Sequence, residues 1–251
     1  MTFTFGIAGL GLLLGSFLNV VAYRLPKRIS VVTGRSACPS CGEQVRAYDN
    51  VPVVSWLLLR GRCRHCDEPI SAKYPVVEAL TAALMAAVAL VHADDTAQLV
   101  LGLVLVAFLV PLTLIDLEHR LLPNVLTGPA AVLAIVLGFA LDAGGEPERL
   151  IAGVAAATFL LVAALAKPGG MGMGDVKLAG VLGLFLGAPV AVAMLVAFVS
   201  GSLVGAVIMA RKGVAAGRKT KVPFGPFLAL GGVAGILVGA QVLDAYTSTF
   251  L

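Results

Sequence analysis

The sequence predicts an all-α polytopic membrane protein of about eight transmembrane helices, with a small zinc-ribbon-like domain between the first two. Three observations predict it: long apolar runs with little charge, a one-sided distribution of Lys and Arg, and a single polar segment that holds all four cysteines. Hydrophobic residues make up 59% of the chain and charged ones 13%, with a mean hydropathy of +0.98. A soluble domain usually carries about 25% charged residues. Lipid is therefore the solvent for most of this chain. Within lipid, backbone groups must be satisfied inside a helix or a closed barrel. Continuous runs, rather than alternating ones, indicate helices.

The first span is expected over residues 3–23. No Lys or Arg precedes it, and no small-residue cleavage site follows it, so it reads as a retained helix rather than a cleavable signal. Further spans are expected near 75–91, 97–115, 124–141, 150–166, 176–188, 189–210 and 226–243. The segment 176–188 is short for a bilayer core of about 30 Å. It is expected to be tilted, broken or re-entrant.

The loops between these spans fall into two classes. One class holds 24–73, Arg120, Lys167, Lys177, Arg211, Lys212, Arg218, Lys219 and Lys221. The other holds Asp94, Asp95, Asp142, Glu146 and Glu148, with Arg149 as its one basic residue. Seventeen of the 18 basic residues thus lie on one side. The positive-inside rule makes that side cytoplasmic and puts the N-terminus outside. Topology accounts for the basic run 211–221, so no nucleic-acid partner is expected; the basic loops suit anionic lipid headgroups.

Residues 24–74 are polar, basic and too few to be held by an apolar core of their own. They contain Cys38-Pro-Ser-Cys41 and Cys63-Arg-His-Cys66. Two C-x2-C pairs at this separation match the knuckles of a zinc ribbon, with Cys38, Cys41, Cys63 and Cys66 as ligands. The alternatives are two disulfides or four free thiols. A reducing cytoplasmic side argues against disulfides. Four thiolates complete a tetrahedral shell without His65, so the site is expected to be structural.

Carboxylates at the edge of membrane segments are functional candidates by default. Asp116 ends the third span in Leu114-Ile115-Asp116-Leu117, and Asp175 opens the sixth in Gly172-Met173-Gly174-Asp175-Val176-Lys177. The expected topology puts both at the cytoplasmic boundary. Two close carboxylates share one proton, and such a pair activates water against a peptide bond. Gly172 and Gly174, lacking side chains, leave room for substrate backbone beside Asp175. The bland alternative is two solvated helix-end residues, with Asp175 as an N-cap. Glu78, one turn into the second span, is a third candidate whose partner is open between Lys73 and a cavity.

These motifs together resemble the bacterial type IV prepilin peptidases, of the GxGD class of membrane aspartyl proteases. The resemblance rests on 15–26 (Gly-Ser-Phe-Leu-Asn-Val-Val-Ala-Tyr-Arg-Leu-Pro), both C-x2-C pairs and 74–80 (Tyr-Pro-Val-Val-Glu-Ala-Leu). It also rests on 116–124, 172–177 and 223–227 (Pro-Phe-Gly-Pro-Phe). It spans nearly the whole chain. It implies a multi-pass enzyme of the bacterial plasma (inner) membrane, with the zinc domain and active site on the cytoplasmic side. It implies Asp116 and Asp175 as the catalytic pair and prepilins or pseudopilins as substrates. Cleavage of their basic leader would precede N-methylation of the new N-terminus by S-adenosylmethionine. Methyl-donor contacts are not assigned; 19–26 is a candidate for that site or for domain docking. The implied domains are 1–23 (first helix), 24–74 (tetracysteine zinc domain, the methyltransferase region) and 75–251 (aspartyl protease).

Two other readings compete. A presenilin-like intramembrane protease leaves the cysteine loop unexplained and usually has Tyr where this chain has Ile115. A transporter with a zinc-bound regulatory loop would place ionisable groups near mid-bilayer, whereas the carboxylates here cluster at one face.

Overall fold

The computed structural model describes residues 2–167, 170–213, 220 and 222–250. Arg218, Lys219 and Lys221 of the basic run lie outside the described residues. The chain is almost entirely helical: α1 (Thr2–Arg24), α2 (Val54–Leu58), α3 (Lys73–Val91), α4 (Thr96–His119), α5 (Asn124–Leu141), α6 (Glu146–Ala166), α7 (Met173–Leu186), α8 (Val190–Lys212) and α9 (Gly225–Phe250). Seven of these are long and apolar enough to cross a membrane, and α2 and α7 are not. The protein is a multi-pass membrane protein.

The chain divides into two compact units, Met1–Val91 and His92–Leu251. In the first, α1 packs antiparallel on α3 through positions four residues apart. A Cβ on Gly11 would lie 2.7 Å from Cα of Ala82, and one on Gly15 would lie 2.8 Å from Cα of Glu78. One turn further, Asn19 Nδ2 donates to the Tyr74 carbonyl at 3.2 Å. Small residues every fourth position let membrane helices approach until their backbones touch. The third step uses an amide in place of the small residue and fixes the register by a hydrogen bond.

Beyond α1, the chain wraps around Arg24. Its guanidinium donates to the carbonyls of Ser30 and Thr33 at 3.0 Å, of Gly34 at 3.2 Å and of Arg35 at 3.3 Å. One side chain thus satisfies four loop carbonyls that have no helix or strand partner.

The second unit is organised around α7, which touches α4, α5, α6, α8 and α9. At 14 residues it is about 21 Å long, short of the roughly 30 Å hydrocarbon core. The segment whose length stood out in the sequence is therefore the central helix, solvated by protein instead of lipid. Asp175, Val176, Leu178, Ala179, Val181, Leu182, Gly183, Phe185 and Leu186 are buried on all sides of it, as expected for an interior helix. On the α6 side, a Cβ on Gly183 would lie 2.5 Å from Cα of Gly153 and 2.6 Å from the Ala152 carbonyl oxygen.

The α5–α6 turn explains the basic residue that stood apart in the charge pattern. Arg149 is buried, and its Nη2 donates to Asp142 Oδ2 at 3.0 Å and to the Asp142 carbonyl at 2.8 Å. Its Nε donates to Glu146 Oε2 at 3.1 Å. Arg149 is a structural counter-ion inside an acidic turn.

Candidate active site and metal centre

Asp116 lies near the C-terminal end of α4, where Arg120 adopts a left-handed conformation and its N–H closes on the Asp116 carbonyl. Asp175 occupies the third position of α7, after the N-cap Gly172. It is inside the helix and does not itself form the cap. Its own N–H donates to the Gly172 carbonyl at 3.1 Å, and its Oδ2 accepts from the Gly172 N–H at 3.2 Å. This reciprocal pair holds the carboxylate over the first turn.

Both side chains are buried, Asp116 to 5% exposure and Asp175 to 8%. The helices that carry them, α4 and α7, touch each other within the second unit. Each carboxylate also faces the start of a helix. Asp175 sits on the first turn of α7, and Asp116 Oδ2 accepts the N–H of Gly225, the first residue of α9, at 2.9 Å. Helix N-termini carry partial positive charge and unpaired N–H groups, so each offsets part of the cost of a buried carboxylate.

A side chain at 225 would force the Asp116 carboxylate to shift. A Cβ there would lie 2.6 Å from Asp116 Oδ2. In the sequence, Gly225 stands within the 223–227 motif with no charge or reactive group to mark it. The available signal was a Gly-Pro pair opening an apolar helix. A Cβ on Gly174 would meet Leu122 Cβ at 2.9 Å, while one on Gly172 would meet only Asp175 Oδ2 at 3.4 Å and the Gly174 nitrogen at 3.9 Å. The absence of a side chain at 174 thus seats the α4–α5 connection against α7. Lys177 Nζ donates to Asn124 Oδ1 at 2.8 Å, a second tie between the same segments.

The four cysteines converge, with their sulfurs all within 4.8 Å of one another and Cys38 Sγ 3.7 Å from Cys66 Sγ. A tetrahedron with Zn–S bonds of about 2.3 Å has S···S edges of about 3.8 Å, so the donor set fits zinc. Two equivalent turns build it. Ala37 bridges Gln44, and Arg62 bridges Pro69. Cys38 N–H donates to Glu43 O at 2.9 Å, and Cys63 N–H to Glu68 O at 2.8 Å. Gly42 and Asp67 take the same left-handed place in the two turns, with φ of 73° and 55°.

Backbone N–H groups of Cys41 and Ser40 favour the Cys38 thiolate, while the neighbouring thiols oppose further ionisation at Cys66. Four thiolates this close need a cation among them.

Glu78 has a partner that neither sequence alternative named. Its Oε2 accepts the N–H of Val53 at 2.7 Å. Val53 is the N-cap of α2 and has a φ of 60°, strained for a β-branched residue. A buried carboxylate on α3 therefore fixes the start of the helix that links the two cysteine turns.

Asp116 and Asp175 thus stand as two buried carboxylates on different helices of a polytopic membrane bundle. Residues 10–92 match the family described as Bacterial Peptidase A24 N-terminal domain, and residues 103–210 match the Type IV leader peptidase family. The chain is 36% identical to a prepilin leader peptidase/N-methyltransferase of Aeromonas hydrophila, across 96% of this chain and 92% of the relative. It is 38% identical to a protein of the same name from Burkholderia pseudomallei strain 1026b (92% and 84%) and 34% identical to one from Pseudomonas aeruginosa (94% and 91%). The chain belongs to the type IV leader peptidase family. No solved structure matches it significantly.

Proposed function

We propose that this protein removes the basic leader from type IV prepilins or pseudopilins and then N-methylates the new N-terminal residue. The observation that carries the first activity is the burial of Asp116 and Asp175 on α4 and α7, two helices of one unit that touch each other. One carboxylate, ionised, takes a proton from a water molecule. The resulting hydroxide attacks the scissile carbonyl carbon. The other carboxylate, protonated, donates to the carbonyl oxygen. As the tetrahedral intermediate collapses, a proton passes to the leaving amine. The Gly225 N–H holds Asp116 in one orientation throughout. The open side of Gly172 gives the substrate backbone its approach to Asp175.

Residues 24–74 form the metal domain. Cys38, Cys41, Cys63 and Cys66 hold zinc, which supplies the fold of this domain and leaves no ligand position for chemistry. The names of the relatives support methylation, with S-adenosylmethionine as the methyl-donating co-substrate. Residues 75–251 carry the peptidase activity. The Lys and Arg bias puts the metal domain and the aspartates on the cytoplasmic side of the bacterial plasma membrane. A substrate whose mature part begins with an apolar helix can lie in lipid beside the bundle, with its scissile bond at that boundary.

The test is incubation of the purified protein with a prepilin and the methyl donor, followed by mass spectrometry of the product. Loss of the leader and a gain of one methyl group at the new N-terminus are expected. An intact prepilin would refute the peptidase reading, and a cleaved but unmethylated product would refute only the second activity.

A further inference from the structure

We propose that α2 is a membrane-contact element, seating the metal domain on anionic lipid at the surface of the bilayer. Val54, Leu57 and Leu58 lie at i, i+3 and i+4 and form one face of this helix, with exposures of 50%, 62% and 78%. The rest of the helix is tied down. Ser55 Oγ accepts from Val51 N–H at 3.2 Å and donates to the Tyr48 carbonyl at 2.9 Å. Trp56 Nε1 donates to the Ile70 carbonyl at 3.0 Å. The helix cannot turn to hide its leucines, and a contiguous apolar patch left facing outward marks a contact surface.

The height of α2 identifies the occupant. Its N-cap, Val53, is bonded to Glu78, the sixth residue of the membrane-spanning α3. Asn19 bonds Tyr74 one turn earlier in α3, and α1 ends at Arg24. Exposed Tyr23 and Tyr74 mark this level, as aromatic residues do at membrane interfaces. Lys27 Nζ lies 3.5 Å above the Tyr23 ring. The apolar face of α2 therefore stands where α1 and α3 leave the hydrocarbon.

Charge selects the lipid. Residues 24–73 contain nine Lys and Arg against four Asp and Glu, a net +5. Exposed Arg60 and Arg62 follow directly on α2. An apolar face flanked by arginines is the pattern of a segment lying in the headgroup region of an anionic membrane.

Trp56 is the chain's one tryptophan; on the tied side of the same short helix, it senses how deep α2 lies. The full chain is reconstituted in phosphatidylglycerol-containing vesicles whose acyl chains are brominated near the headgroup. Trp56 emission should be quenched relative to unbrominated vesicles. Leu57→Ser with Leu58→Ser should lose most of the quench while zinc content stays at the wild-type level. Arg60→Gln with Arg62→Gln should reduce it in phosphatidylglycerol and leave pure phosphatidylcholine vesicles unchanged. Wild-type Trp56 that stays unquenched overturns the proposal. So does shielding that appears only on adding a prepilin, or only at high protein-to-lipid ratio, which would assign the face to substrate or to a second copy.

Discussion

The N–H of Gly225 reaches Oδ2 of Asp116 at 2.9 Å, joining residues 109 positions apart in the chain. This bond orients one member of the aspartate pair from a helix that carries no carboxylate in its first turn. Gly225→Ala would push a methyl group against the carboxylate. A displacement on the scale of an ångström at a catalytic group costs on the order of 100-fold in rate. Gly225→Ala should show that loss in a leader-cleavage assay, whereas Gly205→Ala, which meets nothing within 4 Å, should cleave at the wild-type rate.

Replacing Asp116 or Asp175 with Ala should lower leader cleavage by about 10²–10⁴-fold or more, the scale of a lost acid or base. The zinc content of both variants should match the wild type, because the metal ligands all lie in 24–74. Substantial cleavage by either variant would contradict the assigned pair.

Purified protein should contain one zinc per chain by elemental analysis. Cys63→Ser should release it and leave the remaining three thiols open to a thiol reagent. Zinc that persists in this variant would show that the four sulfurs are not the site.

Glu78→Ala removes the acceptor for the Val53 N–H. Leaving the part-buried Val53 N–H without its acceptor costs about 1–3 kcal/mol. The cost should appear locally, as faster hydrogen exchange of the Val53 amide, with α1 and α3 still protected. Exchange at the wild-type rate would mean that the carboxylate does not hold α2.

Asp142 lies outside the membrane-spanning segments, and its carboxyl is held below the usual range by the Arg149 guanidinium and then by the Gly145 N–H. A group with a lowered folded value stabilises the native state above its unfolded value, near 3.9. That contribution fades as pH falls through the lower folded value. The protection of amides in the α5–α6 turn, taken relative to the intrinsic exchange rate at each pH, should therefore be flat from pH 7 to about 5 and fall in stronger acid. Asp142→Asn should remove this acid-dependent fall.

Much of this molecule was legible in its sequence, and the limits have physical causes. Hydropathy marks which segments avoid water, so the apolar segments were visible, and ligand spacing exposed the four cysteines. Hydropathy does not say whether a segment meets lipid or protein. That is why α7 read as an undersized span when it is the centre of the second unit. Asp116 and Asp175 stood out because charge is rare in such segments. Gly225 carries no charge, and its contribution is a backbone N–H, which every residue except proline possesses. The Val53–Glu78 bond was hidden for the same reason. Arg149 looked like an exception to the charge rule because pairing, unlike charge sign, leaves no trace in composition.

The antiparallel steps Gly11–Ala82, Gly15–Glu78 and Asn19–Tyr74 have a consequence for biosynthesis. All three lie in the contiguous stretch Met1–Val91, and domains generally fold as units beginning at the N-terminus. The first hairpin, its cysteine turns and the strut at Glu78 can thus be completed while the ribosome is still making the rest.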